Sequence, residues 1–408
     1  MTHPKAAEAR ASLPLGEGGL VLLLGALVAF GPLAIDLYLP ALPAIASGLH
    51  AGMEQVELTV TVFLAGFCCG MLCYGPLSDR FGRRPMLLGG MGLFMLASVV
   101  CALAESVHML IVARFFQALG GGAASVLARA VVRDVYASTE AIRKLSLMAM
   151  VTAIAPLVAP LLGSFALHWG SWRATFSLVA VWGALCLLIT GWRLPETLPA
   201  AQRGQAGLGE AFAAYGRMLA NPAAWGLVLA GGMSFGGMFA YITAGPAYFI
   251  RYQGMSPWGY SLLFTANAVG ILLANFCNSR WVHRIGPDRL AGVGSVTGLA
   301  ACAALVGCME VHPLGVIVAL FFAVSVTGLL GANCVGLLMR GYARNAGAAA
   351  ALFGTGQFGF GMLASAAVGT FHDGTGRPMA WVMLGTAVLS LLGFGLYRAY
   401  RDARFVAG

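Results

Sequence analysis

Asp36 and Arg114 each place an ion inside a long apolar run, in a chain that otherwise keeps its charges in short connecting stretches. An ionisable side chain at that depth is costly and marks a functional candidate. Counted from Ser106 along a helix, Arg114 lies about 12 Å inside the run, and Asp36, counted back from Ile45, lies about 13 Å inside its own. Gln117 shares the helical face of Arg114. Arginine stays protonated there and acts as a fixed positive charge. Burial and a nearby arginine act on a carboxyl group in opposite senses, so the proton of Asp36 can leave or return as its surroundings change. The chemistry expected is therefore reversible proton exchange at Asp36, tuned by Arg114. A static Asp36–Arg114 ion pair is the structural alternative, and for Arg114 alone so is snorkelling to the headgroups. Asp36 is expected to be the only deeply placed carboxylate in the apolar runs.

A second group of residues falls between two apolar runs: Gly75-Pro76-Leu77-Ser78-Asp79-Arg80-Phe81-Gly82-Arg83-Arg84. Gly75 and Gly82 are expected to let the chain turn tightly. Asp79, Arg80, Arg83 and Arg84 supply charges for a latch or, more plainly, for a basic hairpin. Farther on, Pro156, Pro160 and Gly163 bend one run and admit a close neighbour. Tyr38, Tyr241, Asn267, Asn333 and Gln357, with Arg114 and Gln117, are candidates for the wall of a binding cavity. Membrane helices also use such residues as interhelical glue. The nine cysteines form no CxxC pair, and no His or carboxylate accompanies them at metal-ligand spacing. No catalytic constellation, phosphate loop or attached soluble domain is present, so an enzyme, a metal or a cofactor is not expected.

The elements that must hold these residues are membrane spans. The chain is 59% hydrophobic and only 10% charged, against roughly 25% charged in soluble domains. Twelve runs are long enough to cross a bilayer: near 19–43, 56–75, 86–104, 108–132, 145–165, 174–192, 223–249, 258–278, 290–309, 314–338, 348–370 and 379–398. The two terminal stretches and the even connections hold 19 of the 24 Lys and Arg residues, including Lys5, Arg10 and Arg404. Both termini are therefore expected in the cytoplasm. The net charge of +9 is explained by this topology, and no nucleic-acid partner is expected. A weak internal repeat, which relates Glu105 to Glu310 among others, divides the spans into two six-helix bundles. The expected order is a tail (1–18), an N-terminal bundle (19–193), a linker rich in Pro and Gly (194–222), a C-terminal bundle (223–398) and a tail (399–408). Paired bundles of this kind place a transport site near the midplane.

The Gly75–Arg84 segment resembles the signature between the second and third helices of the major facilitator superfamily, and Arg114-Phe115-Phe116-Gln117-Ala118-Leu119-Gly120 resembles its fourth-helix motif. Pro156, Pro160 and Gly163 resemble the fifth-helix signature of drug antiporters, with Ala155 in place of the usual glycine. Ile35-Asp36-Leu37-Tyr38-Leu39-Pro40-Ala41-Leu42-Pro43, Arg133-Asp134-Val135-Tyr136, Ser234–Phe239 and Ala244-Gly245-Pro246 narrow the resemblance to the bicyclomycin and chloramphenicol resistance (Bcr/CflA) family of drug:proton antiporters. The similarity runs from about residue 20 to 398. It implies an all-α, twelve-helix fold and a monomer in the bacterial inner membrane. The expected function is proton-driven export of small amphipathic drugs such as chloramphenicol, bicyclomycin or sulphonamides, or of an endogenous metabolite, with the lipid bilayer and protons as partners. The resemblance further implies that Asp134 pairs with Arg83, that Asp79 reaches the start of the eleventh helix, and that these residues close the cytoplasmic side. An importer or metabolite facilitator on the same fold is the alternative. Arg129 has no role in this pattern.

Overall fold

A computed structural model of the chain describes residues 16–136, 138–204, 208–309 and 311–401. Lys5, Arg10, Glu310, Arg404 and most of both tails lie outside the described residues. The described residues are helical, with no strand, and twelve of their helical stretches, the first of them interrupted, are long and apolar enough to cross a membrane.

The first crossing is not the continuous helix expected over 19–43. It consists of α1 (Gly16–Val28), α2 (Phe30–Asp36), a 3-10 turn (Leu39–Ala41) and α3 (Leu42–Gly48). The cause is written in its prolines: Pro32, Pro40 and Pro43 have no N–H to donate to the carbonyls four residues earlier, so the helical ladder fails around them. The remaining helices are α4 (Met53–Phe81), α5 (Arg83–Ala102), α6 (Val107–Val135), α7 (Ser138–Trp169), α8 (Trp172–Arg193), α9 (Leu208–Leu219), α10 (Pro222–Pro246), α11 (Pro257–Ile285), α12 (Pro287–Cys308), α13 (Pro313–Gly341), α14 (Ala346–Thr370) and α15 (Arg377–Tyr400). A π turn, Ala247–Tyr252, extends α10. The stretch 194–222 is not wholly irregular, since it contains α9.

Capping explains several of the boundaries. Ser106, Ser171 and Ser256 accept from the first-turn amides of α6, α8 and α11, and Asn221 does so for α10. Pro156 and Pro160 both lie inside α7, which runs unbroken past them.

The chain divides into two compact units. One holds the residues through Ala41 together with Ala65–Ala211; the other holds Leu42–Leu64 and the chain from Phe212 onward. In the first unit α5 packs on α6 and α8, and α2 and the 3-10 turn pack on α7. In the second unit α10 packs on α14 and α15, and α12 on α13, around Leu227, Leu330, Phe353 and Phe394. Leu96, Leu188, Phe276 and Leu363 each expose more than half of their surface. Exposed apolar side chains of this size suit hydrocarbon rather than water.

Candidate functional site

In the first unit, Arg114 of α6 is fully buried and turns toward the broken first crossing. One of its terminal nitrogens donates to the Ala34 carbonyl at 2.9 Å and to Gln117 Oε1 at 2.5 Å. The break makes the first bond available, because Ala34 is in the last turn of α2, where carbonyls lose their helical donors. Gln117 Nε2 donates to Ser98 Oγ at 2.8 Å, and Ser98 to the Phe94 carbonyl at 2.6 Å. A polar chain thus links α2, α6 and α5. The Arg114 guanidinium stacks 4.2 Å from the Tyr38 ring and 5.8 Å from Phe176 of α8, an arrangement that favours a cation.

Asp36, the last residue of α2, is 5% exposed. No ion pair joins it to Arg114; the guanidinium takes the Ala34 carbonyl instead. The static pair considered from the sequence is therefore not the arrangement found. Gly163 of α7 lies against the next peptide: a methyl group added to it would overlap the Leu37 carbonyl oxygen. The fifth-span glycine thus presses on the same break that carries Asp36.

The Gly75–Arg84 segment is not a loop. α4 continues through Phe81, Gly75 lies within that helix, and only Gly82, with φ at +99°, turns the chain. Arg83 pairs with Asp79 at 2.6 Å and, through Nε, with Asp134 of α6 at 2.9 Å, and it also donates to Ser78 Oγ at 2.5 Å. Arg80 is exposed beside Phe81, and Arg84 donates to the Gly191 carbonyl at 2.7 Å.

A residue that sequence reasoning passed over completes this cluster. Glu196 accepts from the Arg83 amide at 2.9 Å and the Arg84 amide at 3.3 Å, and lies 3.6 Å from Arg203. A carboxylate at a helix start satisfies amides that have no helical acceptor. The available signal was a lone acid, directly after Pro195, at the exit of the sixth span. Glu196→Ala should cost about 1 kcal/mol, the size of a lost helix cap. Arg83→Ala should cost about 2 kcal/mol or more, because it strands the part-buried Asp134. Thermal unfolding of both variants in one detergent tests the order.

The second-half candidates separate. Asn333 donates to Asn278 Oδ1 of α11 at 2.7 Å and to the Leu329 carbonyl at 2.8 Å, which is interhelical bonding. Gln357 is half-buried beside Gly331 of α13. Tyr241 is buried and stacked on Phe264, with ring centroids 6.1 Å apart. Asn267 is 2% exposed, and both of its amide atoms lack a hydrogen-bond partner among the described residues. A buried amide without partners is a cost that a bound polar group can remove. Arg129 of α6 is exposed. Glu57, one turn into α4, is 1% exposed; sequence reasoning passed over it because the expected start of that span, at 56, put it at the edge.

The Major Facilitator Superfamily model matches residues 22–357. A Bacillus subtilis protein described as an uncharacterized MFS-type transporter, YdgK, is 36% identical over 93% of this chain and 96% of its own. A chloramphenicol resistance protein of Pseudomonas aeruginosa is 32% identical over 82% of this chain and 79% of its own. A bicyclomycin resistance protein homolog of Haemophilus influenzae is 29% identical over 92% and 94%. Among solved structures, a peptide transporter, POT, superposes with a TM-score of 0.77 at 16% identity, covering 99% of each chain. A D-xylose-proton symporter gives 0.71 at 18%, covering 92% of this chain and 96% of its own; at such identities the likeness is one of fold. With twelve candidate spans in the fold and Arg83 joined to Asp134, these matches place the chain in the Major Facilitator Superfamily of membrane transporters, in the group that includes the bicyclomycin and chloramphenicol resistance proteins.

Proposed function

We propose that this protein is a proton-coupled exporter of small amphipathic compounds, with Asp36 as the group that exchanges its proton for substrate. The observation that carries the reading is the placement of Asp36. It is a buried carboxyl at the end of a helix broken by prolines, two residues from the carbonyl held by Arg114 and two from the Tyr38 ring on which Arg114 stacks. A group so placed can change its charge when neighbouring bonds rearrange, because no ion pair among the described residues pins it. Arg114 fixes the local positive field and, with Tyr38 and Gln117, offers a face for substrate. Arg83, Asp79, Asp134 and Glu196 form the cytoplasmic latch that releases and reforms during alternating access. Both termini face the cytoplasm of a bacterial inner membrane, the working unit is a monomer, and the proton gradient takes the place of a cofactor.

The names of the chloramphenicol and bicyclomycin relatives support drugs of that size and polarity as cargo. The test is drug-induced proton release from acidified inverted vesicles containing the protein, with chloramphenicol, bicyclomycin and a sulphonamide as the panel. Release on drug addition is the expected result. Net accumulation of a labelled solute in energised cells, with no drug-induced release, would instead make the protein an importer.

Asn267 belongs to the same proposal as a substrate contact. Asn267→Leu should leave thermal stability within about 1 kcal/mol of wild type or raise it, since it removes an unsatisfied buried amide. The apparent affinity for drug should fall about tenfold, the worth of one good hydrogen bond. Equilibrium binding and melting on the same preparation separate the two effects.

A further inference from the structure

In the second unit, a titratable cluster lies where α4 begins, beside the end of the π turn and the connection between α14 and α15. Glu57, one turn into α4, is 1% exposed, and neither carboxylate oxygen has a hydrogen-bond partner among the described residues. His372, in the connection between α14 and α15, places Nδ1 3.7 Å from Glu57 Oε2. The other ring nitrogen, Nε2, lies 3.2 Å from the Tyr252 hydroxyl at the end of the π turn.

This arrangement takes up a proton without moving a heavy atom. With the imidazole neutral and its hydrogen on Nδ1, that N–H faces Glu57 while Nε2 accepts from the Tyr252 hydroxyl. With the imidazole protonated, Nε2–H donates to the Tyr252 oxygen and the ring's charge faces the carboxylate. Only the second form pairs charge with charge, imidazole being the side chain that changes charge near neutral pH, and a further proton taken by Glu57 itself breaks that pair. The other charged groups at the cluster are Glu54, which acts on Glu57 from the same helix, and Arg251 and Asp373, which act on Tyr252. Among the described residues, no three His, Cys, Asp or Glu side chains gather as metal ligands do, so the fitting ligand is a proton.

The same end of α4 is held by a second contact. Thr61 shares a hydrogen bond with Ser365 of α14 at 2.7 Å, and Ser365 another with Thr243 of α10 at 2.8 Å. Thr61 is one turn beyond Glu57, so the neutral hydroxyl bonds and the titratable pair fasten the same helical face.

We propose that Glu57 and His372, oriented by Tyr252, form a proton-binding site separate from Asp36, whose occupancy fastens the Leu42–Leu64 segment to α10 and α14. The proposal stands whether or not Asp36 carries the transported proton. The test is a pH titration of the full-length protein in lipid nanodiscs, followed by infrared difference spectroscopy of the carboxyl stretch, for wild type, Glu57→Gln, His372→Gln and Asp36→Asn. A titrating carboxyl band should persist in Asp36→Asn and vanish in Glu57→Gln, and its midpoint should move by about one pH unit in His372→Gln. At one fixed pH, amide exchange across Met53–Leu64 should be about tenfold faster in His372→Gln than in wild type. Titrating bands unchanged by Glu57→Gln would overturn the site. If that variant does not fold, an unmoved midpoint and unchanged exchange in His372→Gln would overturn it instead.

Discussion

Asp36→Asn should reduce drug-induced proton release to the level of vesicles that lack the protein. Asparagine keeps the size and shape of the side chain. The Arg114 bond to the Ala34 carbonyl uses backbone, and the Gly163 contact with Leu37 does too, so neither is touched. What the variant loses is the capacity to bind and surrender a proton, and no hydrogen-bond partner of Asp36 is stranded by the change. Drug binding at equilibrium should persist while coupled release is lost, and that split separates a missing proton carrier from a misfolded protein. Coupled release at wild-type rates from the variant would remove Asp36 from the mechanism and move attention to Glu57, the other buried acid among the described residues.

The second large effect is on stability. Gly163→Ala should destabilise the protein by about 3 kcal/mol, at the upper end of overpacking costs. The obstacle is the Leu37 carbonyl oxygen, a backbone atom that cannot rotate aside as a side-chain end would. Relief requires α7 to draw back from the broken crossing or the Leu37 peptide to shift, and that peptide adjoins Asp36. Lower melting temperature and weaker proton coupling should therefore appear together. Gly75→Ala is the matched control. The nearest heavy atom to a methyl group there is Val126 Cγ1 at 3.9 Å, and alanine is the better helix former, so that change should be neutral or stabilising by up to about 1 kcal/mol.

The number and order of the crossings were legible because the bilayer imposes a length and an apolar character on each one, and those are properties of composition. Positions of motifs were legible for the same reason. Local backbone was less so. Gly75 in a Gly-Pro pair reads as a turn, yet α4 runs through it, because intrahelical bonding is favoured over an irregular backbone wherever water is scarce. The first crossing went the other way: its prolines were visible, but their number and spacing, rather than the presence of any one, divide it into α1, α2 and α3. At the site, Arg114, Gln117 and Tyr38 could be grouped by depth and helical phase. Ser98, Glu196 and His372 could not, since each reaches its partner from a different element. Depth alone also suggested that Asp36 and Arg114 meet as ions, whereas the free carbonyl of a broken helix offers the guanidinium another acceptor.

The Glu196 cap has a practical corollary for dividing the polypeptide. An apolar plot ends the first six helices at Arg193, and a gene split there looks natural. The carboxylate that seats the start of α5 lies three residues beyond that point, and Arg203, its cationic neighbour, lies ten beyond it. A half-protein ended at Arg193 would therefore carry an uncapped helix at its own latch, and one ended after Arg203 would not. Co-expression of separate halves should succeed or fail on those ten residues.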